Sequence, residues 1–137
     1  MLKSVKVRDY MTHDLITFRA EMDLFRAIDV LIGNRISGAP VVDEAGHLLG
    51  LLSESDCLRG ILSGSYFEEV GGTVASVMTV VVETIDADAD IVKAAEHFIQ
   101  KGRRRLPVLD EGRLVGQISR RDILRAIKAY NDHGAPK

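Results

Sequence analysis

Two copies of a Ser-x-x-Asp motif are the residues in this sequence best placed to do chemistry. Ser53 and Asp56 follow one apolar run, Ser119 and Asp122 follow another, and each pair precedes a helical pattern. The unpaired N–H groups and the dipole of a helix start favour an anion, so a phosphate suits the serine position. The carboxylate has two acceptor oxygens, which match a pair of hydroxyl groups. The alternative interpretation is a capping box, and both roles can hold for one serine.

Arginines distinguish the second motif from the first. Arg120 and Arg121 follow the second serine, and residues 103–105 at the start of the preceding apolar run are all arginine. At the matching places the first motif has Glu54 and the uncharged stretch 36–38. Because arginine makes forked contacts to phosphate oxygens, we predict the tighter phosphate site at the second motif. The alternative is a solvated loop; a nucleic-acid patch is disfavoured because no aromatic residue interleaves with the arginines.

The elements that position these motifs follow from turns and apolar spacing. For the first half we predict strands at 15–17, 39–42 and 48–53, and helices at 23–32 and from 54 to about 62. For the second half we predict a strand at 80–82, a helix at 90–100, a hairpin at 105–119 and a helix to about 130. Gly33 and Asn34 are the predicted stop of the first helix. The predicted apolar faces of the helices at 23–32 and 90–100 comprise Leu24, Ala27, Ile28, Leu31, Ile32, Ile91, Ala94, Ala95, Phe98 and Ile99.

The motifs belong to an internal repeat. Pro107 lies 67 residues after Pro40 (107 − 40), and Asp122 lies 66 after Asp56 (122 − 56), so one residue is lost in a turn, where a duplicated fold tolerates loss best. The predicted organisation is a first repeat at 7–63, a linker at 64–73, a second repeat at 74–130 and a tail at 131–137. Each half is too small to bury a core alone, so we expect the halves to pack through their sheets with pseudo-two-fold symmetry.

Composition narrows the class of protein. The chain has 137 residues, 46% hydrophobic and 28% charged, which is ordinary for a soluble globular protein. A net charge of −2 argues against a nucleic-acid binder, and no apolar run approaches the roughly 18 residues of a membrane span. The N-terminus lacks the apolar core of a signal peptide. The single cysteine, Cys57, excludes an intrachain disulfide, fits a cytoplasmic location and is predicted to be a small packing residue.

The repeated segments resemble a tandem pair of CBS (cystathionine β-synthase) domains, the unit called a Bateman module. The resemblance covers nearly the whole chain, and both sets of marks occur in order: 9–12 and 75–79, 38–43 and 105–110, 50–56 and 116–122. It implies an α+β fold of two tandem β-α-β-β-α repeats. It also implies a ligand cleft between the repeats and a homodimer.

What the resemblance implies for function is a stand-alone regulatory module that is not an enzyme. Such a module would bind AMP, ADP, ATP or S-adenosylmethionine as a regulatory ligand, use no other cofactor, and signal to an unknown protein in trans. The alternative is an assembly scaffold that dimerises and binds no ligand. An enzyme is disfavoured because no nucleophile–base pair and no phosphate-binding glycine loop occurs. The four histidines show no metal-ligand spacing, and the aspartates at 86, 88 and 90 lack the rest of a calcium loop.

The predicted site residues fall into three sets, with no catalytic or metal-binding member. Asp122 and Asp56 are the predicted ribose ligands. The predicted phosphate ligands are Ser119, Arg104, Arg105, Arg120, Arg121 and Ser53. The resemblance places adenine against Ile16, Thr17, Gly38, Ala39, Pro40, Val82, Thr84, Leu106 and Pro107. Taken singly, the last set also looks like ordinary strand core.

Overall fold

The computed structural model describes residues 1–63, 72–80 and 82–133. Over these residues it shows an α+β fold with two three-stranded sheets and five α-helices, which confirms the predicted fold class. The first repeat contains β1 (Phe18–Arg19), α1 (Leu24–Asn34), β2 (Gly38–Val42), β3 (Leu48–Ser53) and α2 (Glu54–Leu62). The rest contains α3 (Val74–Val77), β4 (Ile85–Asp86), α4 (Ile91–Lys101), β5 (Arg105–Asp110), β6 (Arg113–Ser119) and α5 (Arg120–His133).

The two sheets have the same topology. In each, a two-residue strand runs parallel to the middle strand, and the middle strand pairs antiparallel with the third. The register shifts after Val41 in β2 and after Val108 in β5, which are positions 67 apart (108 − 41). The duplication seen in the sequence therefore extends to an irregularity of the backbone.

Aspartate caps explain why α1 and α4 begin where the sequence predicts. The Asp23 carboxylate accepts the Arg26 N–H at 3.1 Å, and the Asp90 carboxylate accepts the Lys93 N–H at 2.8 Å. The predicted stop of α1 is wrong by a residue or two. Both Gly33 and Asn34 lie within the helix, which ends at Asn34 and is followed by the capping residue Arg35 with a left-handed φ of 54°.

The predicted strands at 15–17 and 80–82 are wrong. The first strands of the sheets lie three or more residues later, as β1 and β4; residue 81 lies outside the described chain. Each of these strands is defined by parallel pairing to one partner, Phe18 to Val41 and Ile85 to Val108. A local apolar run does not encode such a partner. The last helix continues to His133, beyond the predicted 130, whereas residues 134–137 and most of the predicted linker (64–71) lie outside the described chain.

The chain forms two compact units that do not follow the repeat boundaries. We call Ile16–Val82 the N-repeat unit, and Met1–Leu15 with Glu83–Lys137 the C-repeat unit. Each unit thus includes the segment that precedes the other repeat. The exchange is symmetric: the Val7 N–H donates to the Ala89 carbonyl and the Val74 N–H donates to the Met22 carbonyl, both at 2.9 Å.

Each unit has its own apolar core between its sheet and its helices. The N-repeat core comprises Phe18, Leu24, Ala27, Leu31, Ala39, Val41, Leu52, Cys57 and Val74. The C-repeat core comprises Val7, Met11, Ile85, Ala87, Ile91, Ala94, Phe98, Leu106, Val108, Ile118, Ile123 and Ala126. Two residues predicted to lie on buried faces do not: Ile32 is 71% exposed and Ile99 is 83% exposed. Each follows the buried residue of the last helical turn and is rotated away from the core.

A glycine in the third strand of each sheet leaves room for the segment that precedes the other repeat. Thr12 and Gln117 exchange two backbone hydrogen bonds of 2.8 and 3.0 Å. A Cβ on Gly116 would lie 2.6 Å from Met11 Sδ and 2.7 Å from the Thr12 carbonyl oxygen, both closer than real contacts allow. Gly50 is in the same position against Thr79 in the N-repeat unit. The close approach of the Met-Thr segment therefore requires glycine in both units.

We expect Gly116→Ala to lower the free energy of unfolding by about 1–3 kcal/mol, because the added methyl group must displace backbone. Gly33→Ala is the matched control, since nothing lies within 4 Å of its Cβ position in α1. This control should raise stability by up to about 1 kcal/mol through helix propensity. Urea unfolding followed by circular dichroism measures both. Equal stability of the Gly116→Ala variant and the wild type would contradict the packing described.

Candidate functional site

Six residues of the C-repeat unit line an open groove with a volume of about 640 Å³: Arg104, Arg105, Ser119, Arg120, Arg121 and Leu124. The sheet register creates this grouping, because Arg105 in β5 lies opposite Ser119, the last residue of β6. The Arg120 N–H, at the start of α5, then donates to the Arg104 carbonyl at 3.2 Å. Five of the six predicted phosphate ligands therefore lie together at a helix start.

The groove is strongly cationic. Within the part of the chain that the structure describes, none of its four guanidinium groups has a carboxylate within the 4.0 Å of an ion pair. All four arginines are exposed. Like charges that lie close together repel one another, so a polyanion bound in the groove would lower the electrostatic free energy.

The N-repeat unit lacks this charge. Its residues equivalent to Arg104 and Arg120 are Ser37 and Glu54, at offsets of 67 (104 − 37) and 66 (120 − 54). Ser53, the sixth predicted phosphate ligand, lies in this unit as the N-cap of α2. The electrostatic difference that the sequence predicts is therefore present in the two folded units.

The Asp56 carboxylate is saturated with hydrogen bonds. One oxygen accepts both the N–H and the hydroxyl of Ser53 at 2.9 Å, and the other accepts the Arg59 guanidinium and, at 2.8 Å, the Thr79 hydroxyl. The Asp56 N–H in turn donates to Ser53 Oγ at 3.1 Å. Asp56 is only 3% exposed. The capping-box interpretation is confirmed for this pair, and its ribose role stays a prediction.

The Asp122 carboxylate accepts fewer hydrogen bonds than that of Asp56 within the described residues. Its carboxylate accepts the Ser119 N–H at 2.8 Å and the Arg125 guanidinium at 2.7 Å. The Asp122 N–H donates to Ser119 Oγ at 3.2 Å, so this pair also caps its helix. Asp122 is 8% exposed and does not line the groove. A ribose contact at Asp122 likewise stays a prediction.

Two arginines beside these carboxylates were missed from the sequence. Arg59 and Arg125 each lie three residues after the aspartate that they contact, and they are 66 residues apart (125 − 59). An Asp-x-x-Arg spacing repeated at the offset of the duplication was the available signal. Leu124, which lines the groove, was also missed, since nothing in its apolar character marks a site.

The predicted adenine residues are mostly part of the sheets and their cores. Ala39 and Leu106 are core residues, and Pro40 and Pro107 are buried beside them. Gly38 permits close strand pairing, since a Cβ there would lie 2.9 Å from the Leu52 carbonyl oxygen. The remaining predicted adenine residues are half-buried or exposed positions next to the short strands: Ile16, Thr17, Val82 and Thr84. The strand-core interpretation is confirmed for the buried members, and adenine contact stays a prediction for the set.

Glu83 explains why Arg103 does not line the groove. Its carboxylate accepts the Arg103 guanidinium at 3.0 Å and contacts His97 Nε2 at 3.2 Å. The hydrogen bond from Arg103, followed by that from His97, lowers the pKa of Glu83. One of the five arginines at or near the motif is thus neutralised, which leaves four for the groove.

Cys57 lies beside Asp56 but has the packing role predicted for it, with 5% exposure in the N-repeat core. Burial, and then the charges of Asp56 and Glu54, raise the pKa of its thiol above the ordinary value of 9.0. Because the folded-state pKa is raised, the thiol stays protonated below pH 9. Its contribution to stability is complete there and is lost as the pH rises through the folded-state pKa.

We expect Cys57 to react with a disulfide reagent such as dithionitrobenzoate at pH 8 at least about tenfold more slowly in the native protein than in 6 M guanidinium, because only the exposed thiolate attacks. Absorbance at 412 nm measures both rates. A native rate equal to the unfolded rate would contradict the burial of this thiol.

Within the described residues, no helix combines the length and the apolar character needed to cross a lipid bilayer.

The two β-α-β-β-α units define a tandem-repeat protein, and one of them has a cationic groove at a helix start. A family model for the CBS domain matches residues 7–63 and again residues 74–129. These matches span most of the sequence, and the chain belongs to the CBS domain family.

Three similar proteins place the chain within this family. MJ1225 of Methanocaldococcus jannaschii is 30% identical over 121 residues, which cover 88% of this chain and 42% of that protein. CBSX2 of Arabidopsis thaliana, solved in complex with AMP, has a TM-score of 0.79 and 26% identity, over 93% of this chain and 98% of that one. The CBS domain pair of MJ0100, solved with 5′-methylthioadenosine and S-adenosyl-L-methionine, has a TM-score of 0.72 and 25% identity, over 91% and 97%. This chain thus spans less than half the length of MJ1225.

Proposed function

We propose that this chain is a regulatory, non-catalytic module that binds an adenine nucleotide through its C-repeat unit. The observation that carries the proposal is the groove around Ser119, whose four arginines have no carboxylate partner among the residues that the structure describes. The dipole at the start of α5 and the four guanidinium groups favour phosphate oxygens there. The adenosine class of ligand is supported by the AMP complex of CBSX2 and by the two adenosine compounds bound to MJ0100.

The charge of the groove favours the phosphorylated members of this class. AMP, ADP and ATP carry increasing negative charge, whereas the sulfonium group of S-adenosylmethionine is cationic. Placing that cation beside four arginines costs electrostatic free energy. We therefore propose AMP, ADP or ATP rather than S-adenosylmethionine for this unit.

The rest of the nucleotide has candidate partners close to the groove. Asp122 lies in the first turn of the same helix and offers carboxylate oxygens for ribose hydroxyls. Leu106 and Pro107 are buried in β5, so their part in holding adenine would come from backbone groups of that strand. Bound nucleotide would regulate a further domain or a separate protein by favouring one of two conformations, to the extent that its affinity differs between them.

A series of ligands that differ only in phosphate number tests the proposal. We expect affinity to rise from adenosine through AMP and ADP to ATP, measured by isothermal titration calorimetry at 0.15 M salt. The double variant Arg104→Gln/Arg121→Gln should bind ATP about 10- to 100-fold more weakly, because charged hydrogen bonds are worth roughly 1.5–3 kcal/mol. Its affinity for adenosine should change little.

The control for this variant is Arg113→Gln, which removes a positive charge from the same unit at the turn end of β6. It should leave the affinity for ATP within about twofold. Equal affinities for adenosine and ATP, or equal losses in the two variants, would remove the arginine groove from the site. If millimolar nucleotides leave the melting temperature unmoved, the ligand-free scaffold replaces the sensor.

We also propose that the chain forms a homodimer through exposed apolar helix residues. In the N-repeat unit, Ile32 of α1 and Leu58 of α2 are 71% and 62% exposed. The equivalent residues of the C-repeat unit, Ile99 and Leu124, are 83% and 66% exposed. Two equivalent apolar faces on one chain suit a two-fold partner that presents the same faces.

Charge placed on these faces should separate the protomers. We expect Ile32→Glu and Ile99→Glu to convert a dimer to a monomer in size-exclusion chromatography with light scattering, because a buried unpaired carboxylate is costly at an interface. Val80→Glu, at a residue that is 66% exposed outside the helices, is the control and should remain a dimer. A monomeric wild type at 100 µM, or dimeric helix variants, would rule out this interface.

A further inference from the structure

The two capping aspartates differ in how many acceptor positions are still available. A carboxylate has about four lone-pair sites. Asp56 fills them with four donors, from Ser53 (two), Arg59 and Thr79. Over the described residues Asp122 receives two donors, one from the Ser119 N–H and one from Arg125. Two positions therefore remain on Asp122 and none on Asp56, and a ribose presents two neighbouring hydroxyl donors.

Thr79 accounts for part of this difference. It pairs with Leu51 through two backbone hydrogen bonds of 2.9 Å, and its hydroxyl donates to Asp56 at 2.8 Å. Its repeat equivalent, Thr12, lies 67 residues earlier (79 − 12) and pairs with Gln117 in the same way. Across the described chain, the Thr12 hydroxyl makes no hydrogen bond to Asp122.

The serine hydroxyls differ in the same direction. Ser53 Oγ donates its proton to Asp56 at 2.9 Å while it accepts the Asp56 N–H. Ser119 Oγ accepts the Asp122 N–H at 3.2 Å, and in the described structure its proton has no protein acceptor. The Ser119 hydroxyl can therefore donate to a phosphate, whereas that of Ser53 is already used.

We propose that Thr79 closes the ribose site of the N-repeat unit by saturating Asp56, so that the chain binds one nucleotide and binds it in the C-repeat unit. This inference rests on the proposed function. Thr79 is on this view a specificity-determining residue: it decides how many of two duplicated sites can hold ligand. Removing its hydroxyl vacates one acceptor position, on the Asp56 oxygen that also accepts Arg59, and this position can take one ribose hydroxyl.

Equilibrium dialysis with radiolabelled AMP tests the number of sites per chain. We expect one AMP per wild-type chain and two per Thr79→Val chain, with the new site at least about tenfold weaker because its unit has no arginine groove. Thr12→Val is the matched control and should remain at one. In the double variant Thr79→Val/Asp56→Asn the second AMP site should disappear, which would assign that site to Asp56. Asp122→Asn in the wild-type background should weaken AMP binding at the original site in the C-repeat unit.

The outcomes separate this inference from the proposed function. Two AMP molecules per wild-type chain would overturn the inference and leave the nucleotide module intact, and this measurement needs no variant. A stably folded Thr79→Val chain that still binds one AMP would remove Thr79 as the residue that closes the site. If Thr79→Val does not fold, Thr79→Ala tests the same hydroxyl, with the melting temperature as the check on folding. If neither AMP nor ATP binds to the wild type at millimolar concentration, the proposed function itself is rejected.

Discussion

The rest of each unit depends on a buried aspartate in the first turn of the helix that follows its third strand. A carboxylate so little exposed as Asp56 or Asp122 is unfavourable unless donors surround it. The preceding serine supplies the first donor from its backbone, and this contact fixes the helix directly after the third strand. In the C-repeat unit that junction places Arg120 and Arg121 beside the start of β5. The cationic groove is therefore a consequence of how one carboxylate is satisfied.

A second constraint joins this junction to the exchanged segments. Gly50 and Gly116 leave room for Thr79 and Thr12 to pair with the third strand just before the capping serine. Each of those threonines belongs to the segment that leads into the other repeat. Residues 1–15 pack in the C-repeat unit and continue directly into the N-repeat unit at Ile16. A change at either helix start therefore acts on chain that is covalently continuous with the other unit.

Local chemistry allowed most of the fold to be predicted from the sequence. Aspartate and serine caps fix the helix starts, and the alternation of apolar runs and turns fixes β2, β3, β5 and β6. The two-residue strands β1 and β4 could not be located, because distant parallel partners define them. The segments that pack together in each unit could not be predicted either, because their association depends on long-range backbone hydrogen bonds such as that from Val7 to Ala89. In the candidate site, Arg104 and Ser119 were predictable because charge and helix position mark them. The role of Thr79 was not predictable, because Thr79 and Thr12 are the same residue type and both follow a methionine.

This last pair shows where duplicated sites diverge. Thr12 and Thr79 have the same identity, the same neighbouring methionine and the same backbone pairing, yet only Thr79 donates to its aspartate. In the C-repeat unit the Arg125 guanidinium contacts both Asp122 and, at 3.3 Å, the Tyr10 carbonyl, whereas no described contact of Arg59 reaches the equivalent segment. A difference in side-chain geometry, rather than in residue type, thus sets how many acceptor positions each carboxylate keeps. Two carboxylates that descend from one ancestral unit can therefore differ in their available acceptor positions although the serine, aspartate and threonine around them are of the same type.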